Sequence, residues 1–435
     1  MNNYTVSELT KKEPYLCSCG KIHKAHLRDA VIEKNAVTRL PEYIKKYNGR
    51  RIFAVADENT RLAGASVFQI LAENKIPYTL HSVGSGRAEP DEKAIGSITL
   101  HFDYTCDMIL GVGTGVINDL CKILAKQTGL PYILVPTAPS MDGLASSTSS
   151  VIRDGLKVSV DSKCPEVIIA DTEILRNSPQ EMILAGFGDM LAKYVSVCEW
   201  RIGHIVTGEY YCEDVAEMMR SALRTIIANK DGLVNRDERS IIAVTEGLIL
   251  SGIAADYAGV SRPASGVEHY YSHLWDMRHL EFDTPWSLHG IQCGIGTNLA
   301  LRRYSQLLKI TPDKETANEN FASFDIDKRK VQLRDFLGSA AKPIIDGLSS
   351  SDRYNSEKHR ERLDKIIQHW DEILNIIRTE LPTHQQIEDM LKQLNAPYKP
   401  SDIGLPDEIE EQTFRMTADI RDKYILSTLL HDLGM

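Results

Sequence analysis

A change of hydrophobic period near residue 175 is the feature that most restricts how this chain folds. Before it, short runs of β-branched and aliphatic residues alternate with amphipathic segments: Arg51–Ala56, Tyr78–Val83, Met108–Gly113, Tyr132–Thr137 and Val167–Asp171 read as strands, with Asn59–Asn74 and Val116–Gly129 among the helices between them. Alternation of that kind builds a parallel sheet covered by helices, with ligands at the carboxyl ends of the strands. One interruption, Ser150–Val160, carries Asp154-Gly155 between extended runs and reads as a hairpin. Beyond 175 almost everything has helical period. The expectation is an α/β nucleotide-binding domain over 1–175 and an all-helical, metal-binding domain over 176–435.

Punctuation agrees with that division. Ser178-Pro179-Gln180-Glu181 has the form of a helix start, with Ser178 as N-cap and Glu181 closing a capping box. The stretch from about 310 to 405 is polar and charged and reads as a solvated helical elaboration. A net charge of -10 disfavours extended nucleic-acid binding, although a few local groups can still hold one phosphate. The N-terminal residues lack the apolar core of a secretory signal, and no run of about 18 apolar residues predicts a membrane span. With eight sparse cysteines, a soluble cytoplasmic protein is expected.

Gly111-Val112-Gly113-Thr114-Gly115 follows the third predicted strand and leads into a helix, where free N–H groups can meet a pyrophosphate. The spacing is not that of the ordinary dinucleotide fingerprint, and the acidic residue expected after it is replaced by Asp57, which ends the first predicted strand. A second loop, Thr137–Gly143 and on to Ser147, is rich in hydroxyls and holds one carboxylate, Asp142. By itself it reads equally well as a capped loop.

The helical half carries the sharpest chemistry. Asp189 lies on the otherwise apolar segment MILAGFGDMLAKYVSV, where a carboxylate needs a partner. His269 and His273 are spaced i, i+4 on one helical face. Thr284-Pro285 reads as the start of another helix, with Thr284 as N-cap and His289 just inside. One carboxylate and two imidazoles leave positions open on a divalent ion, as catalysis requires. Spacing alone does not decide between His269 and His273 as ligand.

The run Gly113–Asp119 followed by Lys122 resembles the glycine-rich turn of the iron-containing alcohol dehydrogenase, glycerol dehydrogenase and dehydroquinate synthase superfamily. The segments PTAPSMDGLASSTSS, GFGDMLAKY, SGVEHYYSHLWD and LHGIQCGIG are similar, more narrowly, to the sn-glycerol-1-phosphate dehydrogenases in their longer bacterial form. The resemblance spans about residues 50 to 300, although Thr114 stands where the superfamily usually has glycine. It implies a dehydroquinate synthase-like fold and Asp189, His269 and His289 as ligands of one divalent ion: zinc, nickel or iron. It implies substrate contacts, and catalytic roles, for His273, Asp142 and Asp189. Nucleotide contacts fall on Gly113, Thr114, Gly115, Val116, Ile117, Thr137, Ala138, Pro139, Ser140 and Ser146, with Asp57 at the adenosine ribose.

The reaction so implied is NAD(P)H-linked reduction of dihydroxyacetone phosphate to sn-glycerol 1-phosphate, reversible and serving glycerophospholipid-type metabolism. The metal acts as Lewis acid, and a proton arrives through His273 or water. The charge at Asp57 predicts a preference for NADH over NADPH. A homodimer is the family expectation. Competing readings are glycerol dehydrogenase, dehydroquinate synthase, and a catalytically silent nucleotide- or metal-binding protein. Outside the resemblance, Cys17-Ser18-Cys19-Gly20 with His23 gathers three potential ligands in seven residues. A structural site normally needs a fourth, so this segment reads as a tight turn with free thiols.

Overall fold

The computed structural model describes residues 4–84, 88–348 and 351–435. The chain divides into two compact units, one made of Met1–Met190 with Asp214–Ser261 and the other of Leu191–Glu213 with Arg262–Met435. The division follows packing rather than the change of period at 175. The sheet thus keeps helices from beyond it, among them Gln180–Leu191 and Glu238–Ala258.

In the first unit a two-residue hairpin, β1 (Tyr15–Leu16) and β2 (Ile22–His23), precedes β3 (Asp29–Glu33), β4 (Ile52–Ala56), β5 (Tyr78–Ser82), β6 (Met108–Val112) and β7 (Tyr132–Val135). A second hairpin, β8 (Thr148–Arg153) and β9 (Leu156–Asp161), precedes β10 (Val167–Asp171). Six strands form one parallel sheet in the order β3-β10-β7-β6-β4-β5. β4, β6, β7 and β10 are buried at every residue, which is why they read as unbroken apolar runs. Ile52, Leu110, Ile133 and Val167 share one core cluster with Val37, Leu40, Val67 and Leu71 from the covering helices. The expected hairpin is present, with Asp154 and Gly155 both at positive φ.

Order in the sheet explains why the glycine turn comes third. The chain leaves β4 towards β5 on one side and β6 towards β7 on the other, so β4 and β6 are neighbours at the point where the winding reverses. Ligand crevices of open α/β sheets lie at that reversal. Asp57 follows β4 there, and the turn Gly113–Gly115 follows β6.

Helix Glu238–Ala258 is long and apolar enough to cross a membrane (mean hydropathy 1.5), yet 78% of its apolar window is buried. It is a core helix of the first unit and lies against the short turn Gly143–Ala145. Gly252 permits that approach, since a Cβ there would lie 2.9 Å from the Ala145 backbone.

No strand follows Asp171 among the described residues. In the second unit the helices Val267–Phe282 and His289–Leu307 pack closely. The polar stretch near 310–405 forms successive helices from Lys314–Ala322 to His384–Gln393, each with a buried apolar side.

Two expected helix starts are corrected. Ser178 donates its hydroxyl to the Leu175 carbonyl, and the helix begins at Gln180. Thr284–Leu288 is not helical: the helix begins at His289, and the Thr284 carbonyl instead lies 2.7 Å from His279 Nδ1.

Candidate functional site

The turn after β6 is built for close approach. A Cβ on Gly113 would sit 2.6 Å from Ile117 Cγ1, so only glycine lets the helix Gly115–Thr128 begin there. Thr114 is its N-cap residue but makes no capping hydrogen bond, and its hydroxyl lies 3.5 Å from Ser140 Oγ. The first N–H groups of a long helix therefore face the crevice without a side-chain acceptor of their own, which is how helix ends receive phosphate. The expected residues Val116 and Ile117 form this first turn.

Loop 137–146 is fastened beside it by Lys122, a fully buried ammonium. Its Nζ donates to the carbonyls of Gly143 (3.1 Å) and Thr148 (2.5 Å) and lies 3.0 Å from Asp119 Oδ1. Such a cation is tolerated because every donor has an acceptor. Burial pushes the Asp119 carboxyl up, and the Lys122 charge opposes it. Thr137, Ala138 and Ser140 are buried, and a Cβ on Gly186 would fall 1.8 Å from the Pro139 carbonyl oxygen, so that glycine seats the loop on its helix. Ser146 is occupied structurally, its hydroxyl bonded to the Thr148 carbonyl and lying 3.3 Å from Lys122 Nζ.

Asp57 caps the helix Glu58–Ala63: its Oδ1 accepts from Thr60 N at 2.8 Å, and the Asp57 N–H donates in return to Thr60 Oγ1. A capping role is therefore real whatever else the carboxylate does.

Asp142 and Asp189 meet at the foot of the same loop. The Asp142 N–H donates to Asp189 Oδ2 at 3.0 Å, and the Ser251 hydroxyl donates to Asp142 Oδ2 at 2.8 Å. Asp189 has no exposed surface. Ser251 was not anticipated; it lies far along the chain, on the helix that Gly252 brings against the loop.

In the second unit three imidazoles gather on two helices. His269 and His273 lie on Val267–Phe282, and His289 opens His289–Leu307. Ring centroids are 5.2 Å apart for His269 and His289 and 5.9 Å for His273 and His289. Gly296 lets the helices approach: a Cβ there would meet the Glu268 carbonyl oxygen at 2.6 Å.

The hydrogen bonds fix the tautomers. His269 Nδ1 lies 2.8 Å from Glu268 Oε1, and a carboxylate only accepts, so Nδ1 carries the proton and Nε2 keeps its lone pair. Ser272 gives its only proton to Gln292 Oε1 at 2.6 Å and so accepts from His289 Nδ1 at 2.7 Å, leaving His289 Nε2 in the same state. Two imidazoles each held through Nδ1, so that Nε2 is the nitrogen turned away from the tether, have the hydrogen-bonding pattern of metal-binding histidines.

Cys293, one turn after His289, completes this corner, with Sγ 3.6 Å from His289 Nε2. The ligand atoms of His269, His289 and Cys293 lie within 4.8 Å of one another. Its i, i+4 spacing from His289 is the signal in the sequence that points to it. Behind Glu268 lies Glu199, whose carboxyl is pushed up by burial and then by the Glu268 charge.

Comparison with known proteins agrees with these features. A family model described as iron-containing alcohol dehydrogenase matches residues 31–179. The chain is 31% identical over 421 residues to a glycerol-1-phosphate dehydrogenase [NAD(P)+] of Halalkalibacterium halodurans, covering 96% of this chain and 95% of that one. It is 28% identical over 423 residues to the enzyme of the same name from Geobacillus stearothermophilus, covering 96% of each. Among solved structures, a probable glycerol dehydrogenase from Sinorhizobium meliloti 1021 has the same fold, with a TM-score of 0.60 at 14% identity over 94% of this chain and 95% of that one. A sequence match that runs nearly end to end in both chains, on a fold with a glycine-turn crevice and an imidazole pair, places this chain in the glycerol-1-phosphate dehydrogenase family.

Proposed function

We propose that the protein reduces dihydroxyacetone phosphate to sn-glycerol 1-phosphate with NAD(P)H. The observation that carries this reading is the nearly full-length likeness to glycerol-1-phosphate dehydrogenases. Likeness to glycerol dehydrogenases, at 14–16% identity, speaks for the fold alone.

Asp189, His269 and His289 would hold one divalent ion. The fit is chemical: the two imidazoles present Nε2 lone pairs, and a thiol beside them suits zinc, nickel or ferrous iron better than magnesium. When bound, the ion supplies Lewis acidity towards the substrate carbonyl and the nicotinamide supplies the hydride.

The chain's own residues do the rest. Glu268 and Ser272 fix the ring orientations of His269 and His289. His273, one turn beyond His269, holds the proton that the new hydroxyl takes up. Ser251 positions the Asp142 carboxylate to accept from a substrate hydroxyl, while Asp189 is steadied by the Asp142 N–H. The turn Gly113–Ile117 and the loop Thr137–Ser140, whose architecture Lys122 and Ser146 maintain, would hold the nucleotide. Asp57 caps its helix with Oδ1 and offers its other oxygen to the adenosine ribose, favouring NADH. A homodimer in a reducing cytoplasm, where eight unbridged thiols are at home, completes the proposal.

The test is NADH oxidation by purified protein with dihydroxyacetone phosphate and with dihydroxyacetone, before and after chelation. The proposal expects a much higher kcat/KM for the phosphorylated ketone and loss of turnover on chelation, restored by divalent ions. A better rate with dihydroxyacetone, or full activity without metal, would overturn it.

A further inference from the structure

The hairpin β1–β2 has too little structure to stand alone. It pairs only Tyr15 with His23 and Leu16 with Ile22, and Leu16 and Ile22 are 75% and 69% exposed. Yet its other side buries Cys17 and leaves His23 no exposed surface. The turn between the strands is tight: Cys17 N donates to the Lys21 carbonyl, Gly20 N donates to the Cys17 carbonyl, and Gly20 has φ +85°.

The donor atoms of Cys17, Cys19 and His23 all lie within 4.8 Å of one another, and Cys19 Sγ is 3.4 Å from His23 Nε2. Sulfur and nitrogen ligands sharing one tetrahedral zinc are separated by about 3.5 Å. His23 Nδ1 bonds to the Tyr257 carbonyl at 2.9 Å and its ring stacks on Tyr257, so Nδ1 carries the proton and Nε2 points its lone pair at the thiols.

A fourth donor follows from chain connectivity. The Cys17 thiol donates to Asp214 Oδ2 at 3.4 Å. Cys212 precedes Asp214 by two residues, so their Cα atoms lie within about 7 Å. It is 1% exposed.

We propose that Cys17, Cys19, His23 and Cys212 hold one structural zinc ion, separate from the catalytic metal. Three thiolates and an imidazole make a closed set with no position for substrate, so the role is mechanical. The ion staples the hairpin to the chain at 212–214. The hairpin already grips the end of helix Glu238–Ala258, where Lys21 bonds to the Ala258 carbonyl.

The test uses the full chain, grown with zinc and carrying His269→Ala and His289→Ala so that the catalytic site cannot contribute. About one zinc per chain should remain, with an X-ray absorption shell of three sulfurs at about 2.3 Å and one nitrogen at about 2.0 Å. Adding Cys19→Ser or Cys212→Ser should remove that zinc, and Asp214→Asn should leave it. No zinc in the histidine variant, or undiminished zinc after Cys212→Ser, overturns the proposal. Where a cysteine variant fails to fold, cobalt substitution of the histidine variant decides: tetrahedral thiolate–cobalt bands support the site, and their absence rejects it.

Discussion

Replacing Gly296 by alanine puts the closeness of two helices to a quantitative test. The added Cβ would lie 2.6 Å from the Glu268 carbonyl oxygen, 3.1 Å from its Cα and 3.2 Å from its carbonyl carbon. All three are backbone atoms, so no rotamer change relieves the contact. Regaining an ordinary separation of 3.4 Å moves the helix His289–Leu307 by about 0.8 Å relative to Val267–Phe282. Overpacking of that kind costs about 3 kcal/mol. Alanine returns about 1 kcal/mol of helix propensity, for a net loss of about 2 kcal/mol. In a unit of roughly 200 residues the melting temperature should fall by about 6 °C.

The functional consequence is larger. His269 and His289 ride on the two helices, and metal–ligand distances tolerate only about 0.2 Å. Zinc affinity at the imidazole pair should fall at least about tenfold. Differential scanning calorimetry and competition for zinc against a chromophoric chelator measure both effects. Gly96→Ala is the control: nothing lies within 4 Å of that position on helix Glu92–Leu100, and stability should rise by up to about 1 kcal/mol. If Gly296→Ala matches the wild type in melting and zinc binding, helix approach does not set the imidazole pair.

Three further outcomes are expected. Ser272→Ala removes the acceptor of His289 Nδ1 and should weaken metal binding about 10- to 100-fold while changing stability by about 1 kcal/mol; equal metal affinity would show that His289 needs no such support. Asp57→Ser keeps a side chain able to cap the helix and removes the charge, so the NADH-to-NADPH ratio of kcat/KM should drop by about tenfold, and an unchanged ratio would confine Asp57 to capping. Lys122→Met leaves Asp119 buried without its cation and should cost about 3–5 kcal/mol in denaturant unfolding; a near-neutral result would mean that the loop holds itself.

Much of the α/β unit was legible because its central strands are buried on both faces, as Val167–Asp171 shows by matching its predicted limits. Asp29–Glu33 escaped notice because it is an edge strand with only Val31 buried and charges at both ends. Thr284-Pro285 carries the local chemistry of a helix start, but the helix begins four residues beyond Pro285, at His289, and capping preference is a weak local bias. His269, His273 and His289 could be named from spacing and resemblance. The partners that orient them, Glu268 and Ser272, are ordinary helix residues until the backbone brings them to the rings. Cys17 could not be joined to Asp214 from sequence, since the thiol-to-carboxylate bond bridges nearly two hundred residues.

The most direct test of the central claim is the configuration of the product. The purified, metal-replete protein would be given dihydroxyacetone phosphate and NADH, and the glycerol phosphate formed would be offered to a dehydrogenase specific for the sn-3 isomer. The account predicts stoichiometric NADH oxidation and a product that this second enzyme does not oxidise, because it is sn-glycerol 1-phosphate. A product fully consumed as the 3-phosphate, or no NADH oxidation with dihydroxyacetone phosphate at all, would contradict it.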